Sequence, residues 1–284
     1  MHKNYLLLLL LFLLPYCSAN TGAKPTVPPG YSWHQARAVI LEKGLNEISG
    51  LDYEKKLQAF ISINDEKGKV YIIDTTAFRI REEIKFGAKG DYEECIVVND
   101  RWYVLRSDGH LYEMTYDAAG VKDIEEFIYE GKTTEFEAMY WDKARDRIVL
   151  IVKNAKKDHQ EETTYGYAFD RSHKQFVAAP VFQVRWADIA AAGKIKINAF
   201  HPSAAAIHPV TGELYVLASI EKLLVVLDAQ TLAVKGVYFL DPKLCRQAEG
   251  LAFDPVGNMY ISNEAADAQP NIVVFPYQAQ NDRR

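Results

Sequence analysis

The chain has 284 residues, of which 49% are apolar and 25% are charged, and its formal net charge at pH 7 is −5. This is the composition of an ordinary globular protein of one or two domains, and no segment is of low complexity. A mildly acidic chain without a basic stripe is a poor candidate for binding nucleic acid, so we expect no nucleic-acid partner.

The N-terminus has the pattern of a secretory signal peptide. His2 and Lys3 precede an apolar run over residues 5–14, and small residues follow up to Ala19. The run is too short to cross a bilayer, which takes ~20 apolar residues. We predict a signal peptide over 1–19 and an exported protein of the periplasm or cell envelope. The alternative is a membrane-anchored lipoprotein with its lipid on Cys17, although the tyrosine before this cysteine is atypical of that motif.

Residues 20–34 contain three prolines and are predicted to be a tether or extended arm, followed by one domain over 35–284. Cys95 and Cys245 remain in the mature chain. One possible pair is not a disulfide framework, and Cys95 lies in a predicted inner strand. We therefore expect a buried free thiol at Cys95.

A repeated unit organises this domain, and Gln247–Glu264 is its clearest copy. A polar residue is followed by a short apolar strand, a turn and a second apolar strand. Copies start at residues that are 46, 44, 66 and 46 positions apart: Glu47, Glu93, Glu137, Ser203 and Glu249. A period in the forties made of short strands is typical of β-propeller blades.

The predicted strands follow one order along the chain. Ala36–Lys43 precedes the first blade. Blade one has 48–53, 57–64, 69–74 and 78–86; blade two has 95–98, 102–106, 110–116 and 125–129; blade three has 138–141, 147–153, 164–170 and 175–184. Blade four has 204–208, 213–218, 223–228 and 234–240, and the last copy has 251–254, 258–262 and 271–275. A predicted helix over 186–193 explains the interval of 66 residues.

The last copy has three strands of its own, so the strand at 36–43 would complete it and close the ring. Closure removes the free sheet edges of an open array. The sequence thus predicts an all-β protein, a single β-propeller of five four-stranded blades closed by an N-terminal strand. The alternative is six blades, if the long interval conceals one. We expect a monomer.

The start of each inner strand faces the central channel, and this predicts a metal site. Several carboxylates at one mouth repel each other unless a cation neutralises them. Oxygen ligands in this number favour calcium, with magnesium second. The candidate ligands are Glu47, Glu93, Glu137, Glu249, Asn64, Asp65, Asn263 and Glu264. The register leaves open whether Ser49 replaces Glu47 and whether Glu94 replaces Glu93.

Two other interpretations of the channel remain open. Arg106 and Lys153 also end second strands, so they could pair with the glutamates in a structural salt-bridge network. They could instead capture an anionic or phosphorylated small molecule. His201 approaches the channel as well, but a solvated histidine is the usual case in such a loop.

The motifs NEISGL at 46–51, NDE at 64–66, DYEE at 91–94, PSAAAIHP at 202–209 and AEGLAFDPVGNMYISNE at 248–264 resemble the SdiA-regulated, YjiK-like family. The resemblance covers roughly 45–275 and implies an exported bacterial β-propeller of the cell envelope. One branch of that family is described as a calcium-regulated, phytase-like propeller, which favours calcium here. Cys95, Ala138 and Ser203 depart from the family pattern and leave the metal stoichiometry open.

Three functions follow as expectations. The first is a calcium-binding propeller that acts as a binding or signalling module. The second is a calcium-dependent phosphoester hydrolase of phytase type, in which the cation would activate water and Arg106 and Lys153 would hold the phosphate. The third is a metal-free scaffold for protein interactions. The fold alone does not decide among them.

Overall fold

The computed structural model describes residues 23–131, 135–265 and 267–279. In these ranges 21 strands form five antiparallel sheets. The innermost strands of the sheets contact one another in a closed ring, which makes a five-bladed β-propeller. The predicted signal peptide and the alternative lipid site at Cys17 lie outside the described residues.

The chain enters the propeller through β1 (Arg37–Ile40), which lies between 3₁₀ turns at Trp33–Gln35 and Lys43–Leu45. Blades 1 and 2 each consist of four consecutive strands. Blade 1 contains β2 (Ile48–Glu54), β3 (Ala59–Asn64), β4 (Lys69–Asp74) and β5 (Ile80–Lys85). Blade 2 contains β6 (Tyr92–Val98), β7 (Arg101–Arg106), β8 (His110–Asp117) and β9 (Gly120–Ile128).

Blade 3 has a divided outer edge. It contains β10 (Glu135–Asp142), β11 (Arg147–Asn154), β12 (Thr163–Asp170), β13 (Gln175–Phe176) and β14 (Phe182–Arg185), with α1 (Lys156–Glu161) between β11 and β12. Both β13 and β14 pair with β12, so the single outer strand predicted over 175–184 is wrong. Pro180 lies in the interruption and has no N–H to donate to the sheet.

The helix α2 (Trp186–Gly193) follows blade 3 and confirms the predicted helix. Its Trp186 and Ile189 are buried in the hydrophobic cluster between blades 3 and 4. Together with α1 and the divided edge of blade 3, α2 accounts for the long interval between repeats. The alternative of a sixth blade is therefore wrong.

Blades 4 and 5 complete the ring. Blade 4 contains β15 (Ala204–Ile207), β16 (Leu214–Ala218), β17 (Leu223–Leu227) and β18 (Val234–Phe239). Blade 5 contains β19 (Ala248–Phe253), β20 (Met259–Asn263), β21 (Asn271–Phe275) and, at its outer edge, β1. The antiparallel pairing of β1 with β21, from Arg37 opposite Val274 to Ile40 opposite Asn271, confirms the predicted closure.

Each interface between neighbouring blades holds its own hydrophobic cluster. The middle strands are buried on both faces: all six residues of β3 and all five residues of β17 are buried. This explains their nearly continuous apolar sequences, since each blade packs between two others. The stability of the fold is therefore divided among five similar interfaces.

The segment before β1 lies against blades 4 and 5. The backbone N–H of Thr26 donates to the carbonyl of Phe239 at 2.9 Å, and the hydroxyl of Tyr31 donates to the carbonyl of Gly257 at 2.6 Å. The indole of Trp33 packs edge-on against Phe275, with ring centroids 4.9 Å apart. This part of the predicted arm thus makes specific contacts with the closing blade.

Cys95 and Cys245 are both buried and unpaired, as expected for Cys95. Over the described ranges, no helix has the length and apolar character needed to cross a membrane.

The crowding at the axis can be tested with two glycines. Gly50 has a φ of +62°, and a Cβ there would lie 2.7 Å from Oε1 of Glu94 and 2.8 Å from the backbone nitrogen of Cys95. Gly212 has a similar φ of +71°, but its Cβ would meet nothing within 4 Å. Both alanine variants incur the cost of a positive φ, about 1–2 kcal/mol, and only Gly50→Ala adds overpacking of about 1–3 kcal/mol. Urea unfolding should show the larger loss for Gly50→Ala, and equal losses would contradict the tight axis.

Candidate functional site

The strand register identifies which residues are equivalent around the channel. Ile48 lies opposite Asn64, Tyr92 opposite Arg106, and Ala248 opposite Asn263. The residues that follow these three inner-strand positions are therefore equivalent, and blades 3 and 4 complete the ring. The five members are Ser49, Glu93, Glu137, Ser203 and Glu249. Ser49 thus takes the place expected for Glu47, and Glu93 keeps its place.

The two serines link neighbouring blades. The hydroxyl of Ser49 donates to the carbonyl of Glu93 at 2.7 Å, and that of Ser203 donates to the carbonyl of Ala248 at 2.8 Å. Each bond joins an inner strand to the inner strand of the next blade. The ring therefore consists of three carboxylates and two structural hydroxyls.

Glu47 instead belongs to an acidic cluster where blade 5 meets blade 1. Carboxylate oxygens of Glu47, Asp65 and Glu264 all lie within 4.8 Å of one another. Backbone bonds fix the three segments: the N–H of Asp65 donates to the carbonyl of Glu47 at 3.3 Å, and the N–H of Ala265 donates to the carbonyl of Asn46 at 2.8 Å. We call these three residues the acidic trio.

Four carboxyl groups of the mouth have raised pKa values. Burial is the largest cause for each group. It raises the pKa of Asp65 to about 6, of Glu249 to about 7, of Glu93 to about 8 and of Glu264 to about 9. For Glu264 the charges of Glu249, Asp65 and Glu47 act in the same direction. It is therefore energetically costly for the carboxyl groups of the mouth to be ionised together without a compensating positive charge.

Lys153 provides part of the compensation. Its ammonium pairs with Oε1 of Glu137, and its charge opposes the rise in the pKa values of Glu93 and Glu249. Arg106, the other predicted basic residue, is engaged within blade 2. Its guanidinium donates to both oxygens of Asp108 at 2.8 Å and to the hydroxyl of Tyr112 at 3.0 Å.

The two asparagines at the ends of second strands are buried. Oδ1 of Asn64 accepts the N–H of Glu66 at 3.2 Å, and Nδ2 of Asn263 donates to Oδ1 of Asn271 at 3.1 Å. Among the ligands predicted from the sequence, three have a buried oxygen with no hydrogen-bond partner within the described residues: Oδ1 of Asp65, Oε2 of Glu137 and Oδ1 of Asn263. A buried oxygen without a donor is costly, so these atoms mark where a cation or water would be stabilised.

Two features of the mouth were missed by sequence reasoning or given little weight. The ammonium of Lys222 donates to the carbonyl of Arg246, and burial lowers its pKa while the charge of Glu249 opposes that shift. Nδ1 of His201 lies 2.6 Å from Oε1 of Glu221, so this histidine is held by a carboxylate. Lys222 and Glu221 lie in the turn before β17, outside the repeat positions that the pattern emphasised.

The fold and this site together define a five-bladed β-propeller with an acidic channel mouth. The chain matches the profile of the SdiA-regulated family over residues 25–272, and it therefore belongs to the SdiA-regulated family. This confirms the resemblance noted from the motifs.

Solved structures with similar folds are distant in sequence. Glutaminyl cyclase from Myxococcus xanthus is 14% identical with a TM-score of 0.59, over 86% of this chain and 97% of that one. A glucose dehydrogenase is 9% identical with a TM-score of 0.55, over 86% and 100% of the two chains. The PQQ-bound aldose sugar dehydrogenase from Streptomyces coelicolor is 11% identical with a TM-score of 0.50, over 89% and 100%. At these identities the likeness shows the fold alone.

A search of the curated proteins finds no significant match.

The raised pKa values predict how stability depends on pH. A carboxyl group whose pKa is higher in the folded state binds its proton more tightly there, so the stabilisation is complete below the unfolded pKa and is lost as pH rises through the folded pKa. For Glu93, Glu249 and Glu264 this window runs from about pH 4.5 to about pH 9. In the presence of EDTA, the midpoint temperature of thermal unfolding should decrease as the pH is raised from 5 to 9. Glu264→Gln should flatten this decline, and a decline that the variant leaves unchanged would contradict the assignment.

Proposed function

We propose that this protein is an exported binding module of the cell envelope that holds a divalent cation, calcium first, at the mouth of its propeller channel. The observation that carries the proposal is the acidic trio, whose oxygens lie within 4.8 Å of one another and are joined to two further buried carboxyl groups by their electrostatic effects. A cation among these oxygens would offset the charge repulsion that adds to burial in raising the pKa values of Asp65 and Glu264.

The donor set favours calcium over magnesium and over transition metals. Each member of the trio offers oxygen, and the neighbouring unpartnered oxygens belong to Asp65 and Asn263. Nitrogen and sulfur ligands, which zinc and copper prefer, are not part of the trio. Glu47, Asp65 and Glu264 come from three separate segments, and calcium tolerates such irregular, carboxylate-rich sites better than magnesium does.

The position of the trio suggests what the cation would do. Glu264 follows β20 in blade 5, whereas Glu47 and Asp65 flank β2 and β3 in blade 1. Blade 5 is also the blade that β1 closes. A cation here would bridge the junction at which the ring is completed, so its binding would stabilise the whole propeller rather than one loop.

The phosphate-binding alternative receives less support. Both basic residues predicted for that role already have carboxylate partners: Arg106 pairs with Asp108, and Lys153 pairs with Glu137. We therefore restrict the proposal to a cation-dependent binding module, working as a monomer with no nucleic-acid partner. The metal-free scaffold is retained as the alternative outcome of the test below.

The proposal is tested by thermal unfolding of the purified protein in EDTA, in millimolar calcium and in millimolar magnesium. A site in the native state stabilises by ~2.7 kcal/mol when the cation is at 100 times its dissociation constant. For a domain of this size we expect calcium to raise Tm by about 5–10 °C, and magnesium to raise it less.

Glu264→Gln and Asp65→Asn should each remove most of the calcium shift, because each variant deletes a ligand charge. Glu130→Gln, at an exposed position outside the mouth, is the matched control and should keep the full shift. The proposal fails if Tm is the same in EDTA and in calcium. In that case the charged groups of the mouth form only a structural salt-bridge network, and the scaffold function is favoured.

A further inference from the structure

The channel has a second mouth, at the opposite ends of the inner strands. A cavity of about 200 Å³ lies there, and all five inner strands contribute to it. It is far along these strands from the acidic trio, which lies at their starts. Lys55 and Pro209 are exposed at its rim, so the cavity is open to solvent.

Four aromatic residues line this cavity: Tyr53, Tyr140, Trp141 and Phe253. Aliphatic residues make up most of the remaining lining. A neighbouring cavity of about 440 Å³ shares Tyr140, Trp141 and Lys55, and thereby extends the space outward. At ~30 Å³ per water, the inner cavity holds the volume of six or seven waters, which is enough for a small organic ligand.

Asp52 is the acidic residue that lines this cavity. Its Oδ2 accepts the N–H of Val97 at 2.7 Å, and its Oδ1 accepts the N–H of Tyr53 at 2.8 Å. These two bonds fix the carboxylate and leave part of its acceptor capacity free. No ion pair to Asp52 is found within the described ranges, although Lys55 is near enough to affect its titration.

Glu94 lies next to Leu51, one of the residues that line the cavity. Its Oε1 accepts the N–H of Leu51 at 3.3 Å and the N–H of Cys95 at 2.9 Å, which ties blade 2 to blade 1. The side chain is 1% exposed, and among the described residues its Oε2 has no hydrogen-bond partner. A second acidic group with an unsatisfied oxygen therefore lies next to the floor formed by Leu51 and Asp52.

We infer that this second mouth is a binding site for a small organic cation, with Asp52 as its counter-charge and the aromatic walls around it. Aromatic faces attract organic ammonium groups through the ring quadrupole, most strongly where water is excluded. Of the two charged residues that line the cavity, Asp52 is held in place by two backbone N–H groups, whereas Lys55 is exposed at the rim. An anion would therefore meet a fixed carboxylate, and a neutral ligand would leave that carboxylate without a counter-charge.

The inference is independent of the proposed calcium site, and a charged ligand and its neutral isostere test it. Choline and 3,3-dimethylbutan-1-ol have nearly the same shape and differ in the positive charge. In isothermal titration calorimetry on the full protein, choline should bind at least ten times more tightly than the alcohol. Equal affinities for choline and the alcohol would show that the cavity binds only as an apolar pocket, which contradicts a counter-charge. No detectable choline binding would overturn the inference.

Two variants localise the binding. Asp52→Asn keeps the size of the side chain and removes its charge, and it should weaken choline binding about ten-fold, equivalent to ~1.4 kcal/mol. Glu264→Gln, at the other mouth, should leave choline affinity unchanged even if it abolishes the response to calcium. An equal loss in both variants would contradict a site at the second mouth.

The wild-type protein provides a check if Asp52→Asn fails to fold. Burial raises the pKa of Asp52 to about 6, so this group loses its charge between pH 8 and pH 5. Choline affinity should fall as the pH is lowered, whereas the affinity for the neutral alcohol should stay constant. A choline affinity independent of pH would exclude Asp52 as the counter-charge.

Discussion

The convergence of five inner strands on one axis is the constraint on which the rest of this structure depends. Blades that pack face to face must bring their inner strands within contact distance, and each strand presents the same position to the channel. Small residues such as Gly50 and Gly250 are required there, since a Cβ at either would overlap its neighbours. The same convergence concentrates carboxyl groups, because an acidic residue repeated in sequence becomes a cluster in space.

The negative charge of these carboxyl groups is compensated to different extents along the channel. At the strand starts, Ser49 and Ser203 replace two possible glutamates with hydroxyls that join neighbouring blades, and Lys153 pairs with Glu137. Glu93, Glu249 and the acidic trio remain without comparable compensation. Further along the inner strands, the carboxyl group of Glu94 accepts backbone N–H groups from blades 1 and 2 and so joins them. The propeller thus has two chemically distinct openings, one with a cluster of carboxyl groups and the other with four aromatic residues in its lining.

Ring closure and the acidic mouth are connected through blade 5. This blade combines three C-terminal strands with β1, so its integrity depends on a pairing between residues that are more than 200 positions apart. Such pairings are entropically costly and form late in folding. The segment from Thr26 to Trp33 reinforces blades 4 and 5, and a cation at the trio would reinforce the junction between blades 5 and 1. Both features act where the ring has the least support from local sequence.

The sequence by itself predicted five blades, with six as the alternative, together with the closing strand and the helix after blade 3, because these follow from repeat spacing and from apolar runs that must be buried on both faces. It also identified most of the acidic residues of the mouth. Only the tertiary structure decided their grouping: the pairing of Ile48 with Asn64, of Tyr92 with Arg106 and of Ala248 with Asn263 makes Ser49 equivalent to Glu93 and Glu249, and it leaves Glu47 to the trio. The partners of Arg106, the place of Lys222 and the aromatic second mouth were equally undetermined. Each depends on side chains from different blades meeting in space, and no local pattern records such a contact.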